Sequence, residues 1–270
     1  MVDVAGQYVF RDTNAYEAYV GRWSRPLAEA FLAWFAVPRT GRWLDVGCVT
    51  GALTEAILDA DDPIEVVGID PSPEFLGAAQ SRVSDPRVRF EVGDARTLPV
   101  PSHDYDAVVA GLVLHFIPDP APAVAEMVRA ARPGGAVGAY IWDYHGQMQR
   151  AQYFWDAVVV TDAAAAALDP RPHFHTCEPE AMADLFRAAG LDDVAVGAID
   201  LPMAFRDLDE FWLPHTMAGA AVAQRYVSGL DDDRNAVLRE QLRATLPFAT
   251  DGSLHLIDRV WAVRGTKPTA

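Results

Sequence analysis

The stretch Trp43-Leu-Asp45-Val-Gly47-Cys48-Val49-Thr-Gly51-Ala-Leu-Thr54 decides how the chain folds. An apolar run, WLDV, meets a glycine-bearing turn and then a run of helix formers, so it reads as strand, tight turn and helix. Such a turn lets backbone N–H groups approach a ligand, and it also uses glycine for purely conformational reasons. Outward from it, short apolar runs recur at 64–69, 88–92, 107–110 and 136–142, while 51–59, 73–83 and 121–132 read as helices between them. Strands alternating with helices predict right-handed βαβ crossovers and an α/β fold, a doubly wound, mostly parallel sheet with helices on both faces. On the N-terminal side, 14–36 carries apolar residues at helical spacing and Pro26, which predicts two short helices. On the C-terminal side, 147–168, 178–189 and 207–246 read as helical and 194–199 and 254–263 as strands.

Composition narrows the function. The chain has 270 residues, 51% of them hydrophobic, enough for a sizeable core in one domain. Lys and Arg number 22 against 38 Asp and Glu, a formal charge of −16, so nucleic acid is repelled rather than steered in. No apolar run reaches the roughly 20 residues that span a bilayer, and the opening MVDVAGQYVFRD has neither a basic stretch nor an apolar core. No membrane association and a cytoplasmic location are expected, with Cys48 and Cys177 reduced. Lys267 is the one lysine among the basic residues, a usage that suits a GC-rich bacterial genome.

The ends of the next strands sharpen the reading. Asp70, followed by Pro71, closes the second strand about 25 residues after Asp45, where a carboxylate accepts from both hydroxyls of a ribose. Asp94-Ala95 closes the third, where the carboxylate can accept from an exocyclic amine and the next N–H can meet a ring nitrogen, as adenine recognition requires. With these residues in place the sequence resembles the class I S-adenosylmethionine-dependent methyltransferases, in the branch related to ubiquinone and menaquinone biosynthesis. The shared motifs are LDVGCVTG (44–51), VGIDPSPE (67–74), GDARTLP (93–99), YDAVVAGLVLHFIPDP (105–120) and RAARPGG (129–135), with weaker similarity at 19–26 and 259–265.

The resemblance implies a Rossmann-like, seven-stranded sheet whose last strand runs antiparallel, with helical lid insertions. It implies a single domain in which 40–145 is the cofactor-binding core, 1–38 an N-terminal helical lid, and 146–177 and 206–250 further lid segments. S-adenosyl-L-methionine is the implied cofactor, and S-adenosyl-L-homocysteine the product. Gly47, Cys48, Val49 and Gly51 would wrap its methionine part, Asp45 would orient the loop or reach the amine, and Gly111 and Leu112 would meet that amine with backbone groups. Asp70 with Pro71 would hold the ribose, and Asp94 with Ala95 the adenine. Tyr19 and Arg22 would close over the cofactor together with Tyr16 and Trp23, Arg22 by pairing its carboxylate; the alternative is that the aromatics only pack a helix onto the sheet.

One position departs from the family, which has glycine where this chain has Val49; a β-branched residue there disfavours positive φ. A cofactor-binding regulatory protein with weak turnover is therefore the alternative to an enzyme. A nicotinamide dehydrogenase lacks its G-x-G-x-x-G turn here.

Methyl transfer needs an acceptor held in line, and a general base for a hydroxyl or amine. His115, His145 and His215 are the candidate bases, with Asp143 as a further proton acceptor and Phe211 and Trp212 as candidate substrate contacts; each also has a purely structural reading. His173, His175 and Cys177 alternate as metal-capable side chains over too short a loop for a site, and no metal is expected. A small-molecule acceptor is the expected partner; oligomeric state has no signal in the sequence.

Overall fold

The first apolar run forms β1 (Arg42–Val46), and Trp43, Leu44 and Val46 are fully buried, as a strand covered on both faces requires. Around it lie β2 (Glu65–Asp70), β3 (Val88–Val92), β4 (Tyr105–Gly111), β5 (Ala131–Trp142), β6 (Asp192–Phe205) and β7 (Leu254–Thr266). They form one sheet in the order β3-β2-β1-β4-β5-β7-β6. β1 to β5 pair in parallel, and β7 inserts antiparallel between β5 and β6. This is the expected Rossmann-like sheet with its last strand reversed. The computed structural model describes residues 13–37, 40–60, 62–174, 177–217, 219 and 221–269.

The crossover helices are α3 (Ala52–Ala60), α4 (Pro73–Arg82) and α5 (Ala121–Ala130). Ser72 caps α4 by accepting from Phe75 N at 3.3 Å, with Pro73 at the first helical position where its missing N–H costs nothing. At the N-terminus, α1 (Thr13–Tyr16) and α2 (Arg22–Phe35) are joined by a π turn at Glu17–Gly21, so the expected break at Pro26 is absent. The helical run continues through the proline and widens one turn ahead of it. α2 lays Leu27, Phe31 and Phe35 on the sheet, with the Phe31 ring 4.7 Å from Tyr140 and Phe35 6.2 Å from Trp43. Each such side chain contributes about 1.5–3 kcal/mol by burial. Gly138 of β5 makes the approach possible, since a Cβ there would meet the Phe35 ring at 2.5 Å.

Three further helical segments pack outside the crossover helices. They are α1 with its π turn, then α6 (Gln149–Thr161), and the group α8 (Leu208–Thr216), α9 (Val222–Ser228) and α10 (Asp232–Thr245), with α10 on α6 and α8 on α9 in the last two. α7 (Pro179–Ala188) packs instead on β6 and β7. Asp231 begins α10 by accepting from Arg234 N at 2.9 Å, a helix start as its acidic cluster suggested. Among the described residues no helix is long and apolar enough to cross a membrane.

Candidate active site

The loop after β1 turns because Gly47 (φ +74°) and Gly51 (φ +82°) take the left-handed region. Its N–H groups point inward: Gly47 and Cys48 both donate to Ile69 O, Gly51 to Cys48 O, and Val49 to Asp70 Oδ2 at 3.1 Å. The loop therefore offers a ligand shape and contact rather than a row of free donors. Val49 adopts φ +48°, the conformation a glycine would take, and Leu112 adopts φ +59°. Two non-glycine residues held there store of order 1–3 kcal/mol each, and both line the same cavity.

That cavity has a volume of about 470 Å³ and lies over the C-terminal ends of β1 to β5. Its walls include Tyr19, Gly47, Val49, Asp70, Pro71, Asp94, Ala95 and Leu112, eight of the thirteen residues assigned to the cofactor from sequence. A small recess of about 20 Å³ adjoins it, walled by Asp45, Cys48 and Gly111 and sharing Tyr16, Gly47, Val49 and Leu112 with the larger space. Gly51 stands outside both, where an added Cβ would meet Ala79 at 3.3 Å.

Asp70 is buried and its carboxylate is fixed from two sides, Oδ1 by Ser72 N at 2.9 Å and Oδ2 by Val49 N at 3.1 Å. Burial raises its pKa, and those two N–H groups oppose the rise. Each oxygen keeps a second lone pair, so two hydroxyls can still donate to it. Asp94 is held by Arg96, whose Nε and Nη2 reach its oxygens at 3.0 and 2.6 Å, and this ion pair lowers its pKa.

Asp45 is 1% exposed and accepts from Thr54 Oγ1 at 2.7 Å through Oδ2, while Oδ1 has no partner among the described residues. Burial pushes its pKa up to about 7, with the Asp70 charge adding to the rise and Thr54 opposing it. An unsatisfied carboxylate oxygen beside a recess of this size fits one ammonium group, as the methionine end of S-adenosylmethionine carries. Leu112 N is spent on Tyr140 O at 2.8 Å, so that N–H is not free to meet a ligand.

Other assignments are not brought to the cavity. Arg22 pairs with Glu210 at 3.1 Å and stacks 4.3 Å from the Trp23 ring, away from the wall. None of the three histidines lines it. His115 is buried behind Phe116, with both ring nitrogens unpartnered among the described residues, and burial lowers its pKa to about 3. His215 stacks on Phe154 at 4.5 Å, its Nδ1 faces Phe211 O at 3.0 Å, and burial again lowers its pKa to about 3. His145 is exposed and bonds Phe174 O at 3.0 Å through Nε2. Asp143 is buried and accepts from Gly146 N and Gln147 N, each at 2.8 Å, which fixes the turn after β5. Phe211 and Trp212 are buried core residues off the wall.

His175 lies outside the described residues; His173 is exposed and Cys177 buried, and no group of three metal-capable side chains gathers among the described residues. Cys48 and Cys177 are both buried.

Sequence reasoning gave 146–177 and 206–250 as lid segments but named none of the residues that they set on the wall: Met148, Arg150 and Trp155 of the α6 region and Ala221–Ala223 near α9. The only available signal was the run of aromatic residues in 147–168, which also suits an ordinary core helix.

The family described as "Methyltransferase domain" matches residues 44–138. A demethylmenaquinone methyltransferase from a Roseiflexus species is 31% identical over 180 residues, covering 63% of this chain and 75% of that protein. An uncharacterised methyltransferase of Mycobacterium tuberculosis is 35% identical over 130 residues, 48% of this chain and 49% of that one, so the match spans about half of each. Among solved structures, a putative methyltransferase from Bacillus halodurans superposes with a TM-score of 0.60 at 14% identity, covering 90% of this chain and 99% of that chain. A Haemonchus contortus phosphoethanolamine N-methyltransferase, solved with S-adenosylhomocysteine, also gives 0.60, at 18% identity over 94% of this chain and 56% of that one. These two likenesses concern the fold. Nothing in the comparisons favours the regulatory alternative. The Roseiflexus relative carries the assignment by sequence and the strand order agrees with it: the chain belongs to the class I S-adenosylmethionine-dependent methyltransferases.

Proposed function

We propose that the cavity holds S-adenosylmethionine across the ends of β1 to β4 and delivers its methyl group to a small, largely apolar acceptor. The observation that carries this reading is the unpartnered Asp45 Oδ1 beside the recess, in line with Asp70 and Asp94 along the wall. In this reading Asp45 takes the ammonium group, Asp70 the ribose hydroxyls and Asp94-Ala95 the adenine edge. When bound, the cofactor supplies a methyl carbon on a cationic sulfur, and in-line attack by an acceptor lone pair releases the neutral thioether, S-adenosylhomocysteine.

The chain's own work is positioning and exclusion of water. Tyr16, Tyr19 and Val20 from the N-terminal helices, and Met148, Ala151 and Trp155 from the α6 region, act as the lid over the acceptor chamber. Among the described residues no imidazole lines the chamber, and burial raises the pKa of Tyr19 further above neutrality. The acceptor therefore arrives with its lone pair free or sheds its proton to solvent. The surplus of acidic residues supports a small molecule rather than nucleic acid as acceptor, and a count of only two cysteines suits a cytoplasmic setting.

The test is the pH dependence of S-adenosylhomocysteine affinity. Below about pH 7 the Asp45 carboxyl carries a proton that must leave before it can hold an ammonium group; above it the carboxylate is ready. Affinity is expected to rise about tenfold per pH unit up to about pH 7 and then level off, with close to one proton released per ligand at about pH 6. The ligand-free fold has the opposite trend, because an acid with a raised pKa loses stability as pH climbs from about 4 toward 7. A flat affinity profile with no proton release, read by calorimetry in buffers of different ionisation enthalpy, removes Asp45 from the site.

A further inference from the structure

The second residue of α6 sets a cation into a mostly aromatic and aliphatic wall. Arg150 is 4% exposed, and its backbone N donates to Asp258 Oδ1 at 3.0 Å and its Nε to Asp258 Oδ2 at 3.1 Å. Its Nη1 donates to Tyr19 O at 2.6 Å. The guanidinium carbon stands 5.2 Å from the Tyr19 ring centroid and 5.7 Å from that of Trp142. Nη2 is buried and has no partner among the described residues. The cavity wall holds one other arginine, Arg96, and that side chain is closed on Asp94.

A guanidinium is a planar fork of five N–H donors that matches carboxylate geometry, and a donor left unmet in an apolar setting is a standing cost. Asp258 engages Nε and the carbonyl of Tyr19 engages Nη1, which leaves Nη2 without a partner among the described residues, on a side chain that lines the cavity. Tyr19, Trp142, Tyr144, Met148 and Trp155 line the same cavity with rings and a thioether, which suits a flat apolar body. The cationic sulfur of the bound cofactor adds positive charge to the same space, while Asp258 keeps the arginine from being an isolated buried charge.

We propose that Arg150 selects the acceptor: an aromatic molecule carrying an oxyanion, in the simplest case a carboxylate, which the free Nη2 hydrogen-bonds while the rings hold its apolar body. The proposal rests on the reading of this cavity as the methyl-transfer site. Arg150 acts here as a specificity-determining residue, anchoring the acceptor.

The test titrates protein saturated with S-adenosylhomocysteine, using benzoate, cinnamate and indole-3-acetate, each beside its primary amide. At least one carboxylate is expected to bind about tenfold or more tighter than its amide. Arg150→Lys, which keeps a positive charge facing Asp258 and has no second nitrogen, is expected to weaken that binding about tenfold or more while affinity for S-adenosylhomocysteine stays within about threefold. Because changing one partner of a buried pair strains the fold, the double variant Arg150→Met, Asp258→Leu provides an apolar replacement and is expected to show the same loss.

Failure of S-adenosylhomocysteine to bind the wild-type protein would remove the cofactor reading and this proposal with it. Normal S-adenosylhomocysteine binding with no preference for any carboxylate over its amide would overturn the proposal alone. So would an Arg150→Lys variant that loses cofactor and carboxylate affinity equally, since that result puts Arg150 against the cofactor's own carboxylate.

Discussion

Asp258→Ala is expected to lower the unfolding midpoint by roughly 6–20 °C, the largest stability effect of any single change considered for this chain. Asp258 is 0% exposed and sits on β7, where its two oxygens take the backbone N–H and the Nε of Arg150. Burial raises its pKa and the neighbouring guanidinium opposes the rise. Removing the carboxylate leaves a buried cation with only the Tyr19 carbonyl, and it strips the start of α6 of an acceptor for one of its unpaired N–H groups. Breaking a buried pair in this way costs about 3–5 kcal/mol, and about 2–4 °C accompanies each kcal/mol in a chain near this size. The double variant Arg150→Met, Asp258→Leu should recover most of the loss, because the penalty comes from the stranded charge rather than from missing attraction. Calorimetric unfolding of the four proteins in the cycle checks this; additive losses would mean that the two side chains act independently.

The largest binding effect is expected at Asp70. Asp70→Ala should weaken S-adenosylhomocysteine by about 2–3 kcal/mol, roughly 30- to 150-fold, since hydrogen bonds to a charged group are worth about 1.5–3 kcal/mol each. Part of the effect is indirect, because the carboxylate also fixes Val49 N in the glycine loop and Ser72 N at the start of α4. The ribose share can be isolated with the 2′-deoxy analogue: the wild-type protein should discriminate against it, and Asp70→Ala should barely distinguish the two ligands. A variant that binds S-adenosylhomocysteine like the wild type takes Asp70 out of the site.

The strand-turn-helix at 43–54 and the acidic strand ends were legible because backbone conformation and position along a strand follow from local sequence. The strands' extents were less so. Residues 131 and 132 close the helix read over 121–132 and the strand read starts at 136, yet β5 begins at Ala131, where a register shift beside Tyr105 absorbs the Ala-Arg-Pro-Gly-Gly stretch. β6 runs to Phe205 through Pro202, tolerated because β6 is the sheet's edge, and the alternation of Ile199, Leu201, Met203 and Phe205 on the buried side carries it past the proline.

Side-chain roles that depend on distant partners were not legible at all. Arg22 looks like a ligand for a carboxylate in sequence, and Glu210, 188 residues away, takes it. His215 looks like a base, and Phe154 stacks on it. Arg150 looks like an ordinary helix-start residue, and its pairing with Asp258 across 108 residues is what buries it on the cavity wall. Val49 looks like an obstruction, yet the loop holds it at a positive φ with its N–H on Asp70.

The most direct test of the account is a crystal structure of the protein with S-adenosylhomocysteine. The expected result places the ammonium group on Asp45 Oδ1, both ribose hydroxyls on Asp70 and the adenine beside Asp94 and Ala95, with the sulfur facing the chamber between Tyr19 and Trp142. Density for the ligand elsewhere, or an ammonium group that leaves Asp45 Oδ1 unmet, would contradict it.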